Sequence, residues 1–404
     1  MTRHSLAWFG ALAVALCAAA SPAGAQQSPY GTASSDSSPL LAGGWTLTPT
    51  LLYSGNWDDN VLVLGRGDQT IADFANVVNP RVQLDLSSRR GQFTGTYDGA
   101  FLLYRDLNSL NSFDQRGSFA GRRLVSPHLA LFARNSIASV PTTELAQFVG
   151  VPFSRTGSRL DDLHSGVEWA LSKYTSITAS YNFSWVHFDE GPEFSTLLRG
   201  GHSHGGSVVL RRRLSARATL TADYDLTHAL VVGGSQVFDV QNSAGGLEYK
   251  LGDHVRLVGA VGFARLAIND LGPARTGPVY RAGLTRQFRT AAVDVLFNRS
   301  FVPSYGFGGT TQNQELTARL HLPLTRRLFS HSSFAWRSND PLTPGDLSLR
   351  SWWTEQSIGY ELQPWMRVEA FYAGARQTMD RPGGLVNRNR FGFQIITVKP
   401  VRIR

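Results

Sequence analysis

Cysteine and charge are both scarce in this chain. Its 404 residues include one cysteine, and only 17% are charged, against about a quarter in soluble domains. A single cysteine excludes a disulfide framework and a zinc site built from several cysteines. The hydrophobic fraction of 42% is too high for a disordered chain, and the slightly negative mean hydropathy is too low for a bundle of membrane-spanning helices.

The first 25 residues have the features of a secretory signal peptide. A basic start precedes the apolar run Leu6–Ala20, and Ala23-Gly24-Ala25 supplies the small residues that a signal peptidase requires. We expect cleavage after residue 25, which removes Cys17 with the signal. Residues 26–44, rich in Ser and Gly, are then expected to form a disordered periplasmic leader. No later stretch approaches about 18 consecutive apolar residues, so no transmembrane helix is expected.

After the signal, apolar residues recur at every second position in segments of roughly ten residues. In Val78–Leu86 the even positions are apolar, apart from Pro80, while Asn, Arg, Gln and Asp occupy the odd ones. Ile177–Trp185, Ala218–Leu226 and Gln314–Leu322 show the same alternation. A strand of this kind has one apolar face and one polar face, so the pattern predicts an all-β protein.

The connections between these strands alternate in length, which distinguishes a membrane barrel from a soluble sandwich. Short polar turns are expected at residues 87–91, 126–127, 172–174, 215–217, 252–254, 289–290, 325–327 and 363–365. Longer loops are expected at residues 54–73, 106–112, 139–158, 189–199, 230–237, 268–277, 302–313, 338–348 and 378–387. Eight turns and nine loops connect eighteen strands. We therefore expect a transmembrane antiparallel β-barrel of about 18 strands, with 16 as the alternative, short turns in the periplasm and longer loops outside the cell.

Aromatic residues fall near the expected strand ends, as they do in the interfacial girdles of membrane barrels. These residues are Tyr53, Trp169, Trp185, Tyr224, Phe288, Trp336, Trp352, Tyr360 and Trp365. A soluble β protein would not explain this placement, the loop asymmetry and the signal peptide together. The expected location is the outer membrane of a Gram-negative bacterium, with the barrel over residues 45–398 and a periplasmic tail at 399–404.

The polar face of such a barrel should line an aqueous lumen, because at this strand number the interior is too wide for side chains to fill. Alternate positions of a strand point to the same face, and this position parity identifies thirteen charged residues as pore-lining candidates. They are Arg81, Asp85, Asp98, Glu168, Asp223, Asp225, Arg281, Asp294, Glu315, Arg319, Arg367, Glu369 and Arg390. A lining with both signs of charge suits a hydroxyl-rich solute. The competing interpretation is that opposite charges pair across neighbouring strands and stiffen the wall.

Arginine strongly outnumbers lysine in this chain. Only Lys173, Lys250 and Lys399 occur among the 39 basic residues, which leaves 39 − 3 = 36 arginines. Because the planar guanidinium suits carboxylates and phosphates, an acidic polysaccharide in the lumen and lipopolysaccharide around the barrel are candidate partners. The codon composition of the genome would explain the bias equally well. Neither a nucleic-acid partner nor a cofactor is expected.

Three short motifs give weaker signals for chemistry. His202 and His204 alternate along one strand at a spacing that a metal could bridge, but no third ligand is evident. The segment from His187 to Glu190 places a histidine beside two carboxylates where a strand becomes a loop, and such proximity in sequence is not a catalytic arrangement. Asp58-Asp59-Asn60 could bind calcium, but an Asx turn is the simpler interpretation. We predict no catalytic residue and no metal site.

Two segments carry a resemblance to a known family. Leu47-Thr48-Pro49, followed by Asn56–Val61, and then Val78–Leu84 leading into Arg89-Arg90-Gly91, resemble the opening of porin-like outer-membrane β-barrel proteins associated with exopolysaccharide export. The resemblance covers the first two strands, and the rest of the chain shares only the general barrel pattern. It implies a passive conduit for a surface polysaccharide that works with periplasmic or inner-membrane export components, and it carries no catalytic residue.

Export of a surface polysaccharide is accordingly the first functional hypothesis. The first alternative is a diffusion or uptake porin for small sugars or anions. The second alternative is a structural or adhesive surface barrel with a plugged lumen. The end of the chain departs from the usual barrel, because it continues past Phe391 and Phe393 to a basic segment at 399–404 instead of ending on an aromatic residue.

Overall fold

The computed structural model of this protein describes residues 44–64, 70–143, 151, 153–189, 198, 200–231, 237–268, 274–288, 291–305, 310–342, 348–380 and 384–403. The expected signal peptide, its cleavage site and nearly all of the expected leader lie outside these residues. The elements of the described part are β-strands and one 3-10 turn at Asn108–Leu110. No helix in these ranges is long and apolar enough to cross a lipid bilayer.

Eighteen strands of 12 to 15 residues form a single sheet. They are β1 (Gly44–Asp58), β2 (Asp73–Ser87), β3 (Gly91–Tyr104), β4 (Ser112–Ser126), β5 (Leu129–Val140), β6 (Ser158–Ala170), β7 (Thr175–Phe188), β8 (Gly201–Arg213), β9 (Ala218–Val231), β10 (Val237–Lys250), β11 (Val255–Ile268), β12 (Arg275–Gln287), β13 (Ala292–Pro303), β14 (Thr310–Pro323), β15 (Leu328–Pro341), β16 (Leu349–Gln363), β17 (Met366–Met379) and β18 (Leu385–Val398). Each strand pairs antiparallel with its neighbours in the chain. β1 also pairs with β18, which closes the sheet into the expected eighteen-stranded barrel.

The eight short turns and nine long loops connect the strands in the expected order. The strands nevertheless run several residues into the segments expected to be loops. β1, for example, continues to Asp58, although a loop was expected from residue 54. Beyond the membrane neither face of the wall needs to be apolar, so the alternation that marks a strand in the sequence is lost there although the pairing continues.

The expected periplasmic tail is partly in the wall. A short strand, β19 (Val401–Ile403), pairs with Trp45–Leu47 at the start of β1. Pro400 separates β19 from β18, and proline cannot donate a backbone hydrogen bond to the ladder. Gly44, expected in the leader, already belongs to β1. Both ends of the described chain therefore lie side by side at the end of the barrel that carries the short turns.

One face of the wall carries exposed large apolar side chains. On β3, Tyr97, Phe101 and Leu103 are exposed, while the intervening Ala100 and Leu102 are buried. β1 repeats this pattern with exposed Trp45, Leu51, Tyr53 and Trp57. A closed sheet pairs its backbone N–H and C=O groups without help from water, which lipid requires. Its apolar outer face can then contact the hydrocarbon chains of the bilayer. The protein is a β-barrel of the Gram-negative outer membrane.

Hydrogen bonds from loop residues to distant strands identify the inner face. The backbone N–H of Phe153, between β5 and β6, donates to Oε1 of Gln377 on β17 at 3.0 Å. The hydroxyl of Tyr305, after β13, donates to Oγ of Ser203 on β8 at 2.7 Å. These partners are at least five strands apart around the sheet, so Gln377 and Ser203 must point inward. The strand register extends this assignment to every other strand.

Candidate functional site

The register places all thirteen pore-lining candidates on the inner face with Gln377 and Ser203. Arg81 is opposite Asp98, Asp294 is opposite Arg319, and Glu369 is opposite Gln394, a neighbour of Arg390 on the same face. The remaining candidates follow from the same pairing. Contact between these side chains and a passing solute is a proposal.

Several inward charges are held in ion pairs along the wall. Nη2 of Arg337 lies 2.9 Å from Oε1 of Glu315, and Nε of Arg367 lies 2.8 Å from Oε1 of Glu369. Asp223 and Arg281 approach to 3.8 Å. Glu315, Arg367, Asp223 and Arg281 are partly exposed, whereas Arg337 and Glu369 are buried. Such pairs stiffen the wall, and their exposed members still offer donors and acceptors to a solute.

An alternating belt of charges includes residues that the candidate set missed. Arg122 on β4 donates to Glu168 on β6 through Nη2 at 2.7 Å, and Arg256 on β11 donates to Glu248 on β10 at 2.9 Å. Arg211 on β8 lies in the field of both Glu168 and Glu248. Positive and negative side chains thus alternate from β4 to β11. The position parity that gave Glu168 could also have given Arg122 and Glu248.

Loop residues fill part of the lumen towards the long-loop end. Arg155 lies in the β5–β6 loop, and its guanidinium donates to the carbonyl of Leu110 at 2.6 Å, to the hydroxyl of Tyr104 at 3.2 Å and to the carbonyl of Val61 at 3.3 Å. It also lies over the Tyr104 ring. One side chain therefore connects three loops. Sequence parity could not find Arg155, because the residue lies outside the strands.

Tyr305 makes a second connection across the barrel. Besides its bond to Ser203, it contacts two buried apolar clusters, one around Val186 and Phe188 and another that includes Phe301. Burial raises the pKa of the Tyr305 hydroxyl from 10 to about 12, because the phenolate would lose its hydration. The hydroxyl therefore remains protonated and able to donate throughout the physiological pH range.

The seam between the first and last strands uses the motif considered for calcium. The carboxylate of Asp58 accepts two hydrogen bonds of 3.1 Å from Nε of Arg388, and both side chains are buried. Asp59 accepts hydrogen bonds from Asn389, and the backbone N–H of Asn60 donates to Asp58 at 3.1 Å in an Asx turn. The carboxylates of Asp58 and Asp59 therefore join β1 to β18, and Oδ1 of Asn60 accepts from the backbone N–H of Leu64 at 3.0 Å.

Part of the inner face is apolar, contrary to the expectation of a uniformly polar lining. We call it the β10–β12 cluster, after the strands that supply most of it. Its buried members are Val231, Phe238, Val240, Ala244, Ala260, Ala264, Leu266, Val279 and Phe301. Apolar residues on an inner face require cover from water. Tyr305 and Leu342, from the loops after β13 and β15, pack against the cluster.

The weaker histidine motifs lie on or near the outer face. His204 packs on His228, whose Nδ1 lies 2.7 Å from Asp239, and His187 stacks on Trp185. Asp189 pairs with Arg159 at 3.5 Å, and Glu190 lies outside the described residues. In the described part of the chain, no group of three or more His, Cys, Asp or Glu side chains is placed to hold a metal ion.

Comparison with known proteins gives structural similarity only. No family model and no curated protein matches the chain. Among solved structures, OccAB4 of Acinetobacter baumannii is 8% identical with a TM-score of 0.46, covering 89% of this chain and 98% of its own. OccAB2 of the same organism is 12% identical with a TM-score of 0.44, covering 88% and 98%. Pseudomonas aeruginosa OpdK, solved with vanillate, is 11% identical with a TM-score of 0.43, covering 88% and 99%.

Proposed function

We propose that the protein is a diffusion porin for small polar solutes such as sugars or anions. The observation that carries this proposal is the pair of hydrogen bonds across the barrel, from Phe153 to Gln377 and from Tyr305 to Ser203. They hold chain segments inside the extracellular half of the lumen and subdivide its cross-section. The periplasmic half is lined by partly accessible charged side chains such as Arg281 and Asp223.

A subdivided lumen favours small solutes over a continuous polymer. A polysaccharide chain needs an uninterrupted path along the full height of the barrel, and the Arg155 contacts lie across the loop end of that path. Export, which the family resemblance implied, is therefore the weaker hypothesis for this chain. Diffusion of a small solute requires only the passages that remain beside the inserted segments.

The lining chemistry suits polar solutes of either sign. The ion pair of Asp223 and Arg281 presents a partly exposed carboxylate and a partly exposed guanidinium side by side, 3.8 Å apart. A sugar hydroxyl can donate to the first and accept from the second, and neither charge has to leave its partner. Many weak contacts of this kind allow a solute to enter the channel and also to leave it.

Two reconstitution experiments test the proposal. We expect the purified protein to give steady single-channel currents in a planar bilayer. Liposomes that contain it should swell in monosaccharides and disaccharides but not in long oligosaccharides. Empty liposomes are the control. The variant Tyr305→Phe tests the segment that crosses the lumen, because it keeps the ring and removes the hydroxyl bonded to Ser203. We expect this variant to increase the size limit for permeating sugars.

Each competing function predicts a different result. Negligible current from correctly folded protein would indicate a plugged structural or adhesive barrel. Passage of long oligosaccharides, together with loss of surface polymer in a deletion strain, would indicate export. Either result would overturn the porin proposal.

A further inference from the structure

β12 and β13 separate over the extracellular half of the wall. They pair over eight positions, from Gln287 opposite Ala292 up to Tyr280 opposite Arg299, whereas β11–β12 and β13–β14 each pair over twelve. The two segments beyond this point contain Pro278 and Pro303. Proline lacks a backbone donor and occurs at sheet edges. Each strand there has one paired edge and one edge without a ladder partner among the described residues.

Beyond the separation, β13 runs inside its neighbours. It approaches β10 and β11, which are not adjacent to it in the sheet. Phe301 has the parity of the outer face, as Arg299 does, yet it is only 2% exposed and belongs to the β10–β12 cluster. Its ring covers Gly277 of β12, where an added Cβ would lie 2.5 Å from Cζ of the phenylalanine. The end of β13 therefore overlaps the inner face of β12.

Side-chain packing, without a backbone ladder, holds this overlap together. Phe301 meets the inward apolar residues of β10 to β12, and Tyr305 anchors the following segment to Ser203. The eight paired positions of β12 and β13 are slightly fewer than the roughly 9 to 11 residues that a strand needs to cross a bilayer. The separation thus begins close to the outer-leaflet boundary. Outside it, Val261 and Phe263 are 65% and 62% exposed, and Phe263 is opposite Pro278.

We propose that the overlap between β12 and β13 is a lateral binding and entry site for lipophilic small molecules. A molecule with an alkyl or aryl group would pass from the outer leaflet between the unpaired edges and lie against the β10–β12 cluster. The cluster consists of aliphatic and aromatic side chains, so it selects for apolar surface and against charge. This site is separate from the aqueous path of the proposed porin.

Photolabelling in lipid nanodiscs tests the site with a defined probe, a long-chain alkyl diazirine. β11 and β12 supply an internal control, because alternate residues face opposite sides. We expect adducts on inward Leu266 and Val279 in addition to the lipid-facing Val261 and Phe263. Adducts confined to the outward pair would overturn the proposal, since those residues contact lipid in any barrel.

A cross-linked variant tests whether the probe enters through the overlap. Gly277→Cys with Phe301→Cys removes the ring that would clash with a side chain at 277, and the native Cys17 lies in the expected signal peptide. After reaction with a short bifunctional thiol reagent, we expect the inward adducts to be lost while single-channel conductance is unchanged. The same variant before cross-linking is the control. Inward adducts that persist after cross-linking would place the entry route elsewhere and overturn the proposal.

Phe301→Ala gives an independent test that does not depend on cross-linking. Removing the ring uncovers Gly277 and opens the overlap, so labelling of Val279 should increase relative to labelling of Phe263 in the same sample. Unchanged or reduced labelling of Val279 in folded protein would count against the proposal. Conductance measured on the same preparation separates this outcome from failure of the porin hypothesis.

Discussion

At the scale of single residues, the barrel seam depends on a buried ion pair. Asp58 and Arg388 are almost fully shielded from solvent and lie on the first and last strands. Breaking a buried pair by removing one partner costs about 3–5 kcal/mol, because the remaining charge stays buried without compensation. The same geometry on an accessible surface contributes only about 0–1 kcal/mol.

We therefore expect Arg388→Ala to lower the thermal midpoint at which the heat-modifiable folded form is lost on a gel. The matched control is Arg159→Ala, which breaks the exposed pair with Asp189. It should leave the midpoint almost unchanged. Equal midpoints for the two variants would show that the seam does not depend on this ion pair.

Arg155 is the residue at which loop insertion can be tested by electrical measurement. Arg155→Ala removes the contacts to the carbonyls of Val61 and Leu110 and to the Tyr104 hydroxyl. We expect a larger single-channel conductance with more frequent fluctuations, because the inserted segment loses its attachment. Arg159→Ala, in the same region of the chain, is the control. An unchanged conductance would mean that Arg155 does not limit the open path.

At the scale of strands, the sequence predicted the order and number of elements because the alternation of side chains is strict within the membrane. It predicted the inner face of β2 and β14 for the same reason. β11 is different, since Val255–Ile268 is apolar or small at nearly every position. Its sequence therefore does not show which side chains point inward. A strand that is apolar on both faces indicates cover on both sides, and this signal could have located the β10–β12 cluster. The overlap of β13 depends on contacts distant in the chain, so no local pattern could reveal it.

The C-terminal strand gives a prediction at this scale. Truncation after Val398 removes β19, yet β18 keeps its ladder with β1 from Thr50–Val398 to Asp58–Arg390. We expect the truncated barrel still to insert and to remain heat-modifiable, with a modestly lower midpoint. Loss of the folded form would show that the pairing of Val401–Ile403 with Trp45–Leu47 is required for assembly.

At the scale of the whole molecule, positive charge is concentrated at the end with the short turns. Exposed cations there include Arg89, Arg90, Lys173, Arg212, Arg213, Arg217, Lys250, Arg286, Arg326, Arg327 and Lys399. The exposed acidic residues at the described turns of this end are Asp253 and Glu361. The formal net charge of +9 is therefore unevenly distributed, and the periplasmic mouth should attract anions.

This asymmetry predicts anion selectivity that depends on salt concentration. The screening length is about 10 Å at 0.1 M and about 3 Å at 1 M, so the reversal potential in a KCl gradient should favour chloride at low salt and approach zero at high salt. Replacing Arg89, Arg90, Arg326 and Arg327 by Gln should reduce the low-salt preference, because it removes four exposed charges from two turns. The control replaces Arg350 and Arg376 by Gln, since both lie towards the long-loop end of the wall. Cation selectivity, or equal effects of the two sets, would show that the short-turn end does not control which ions pass.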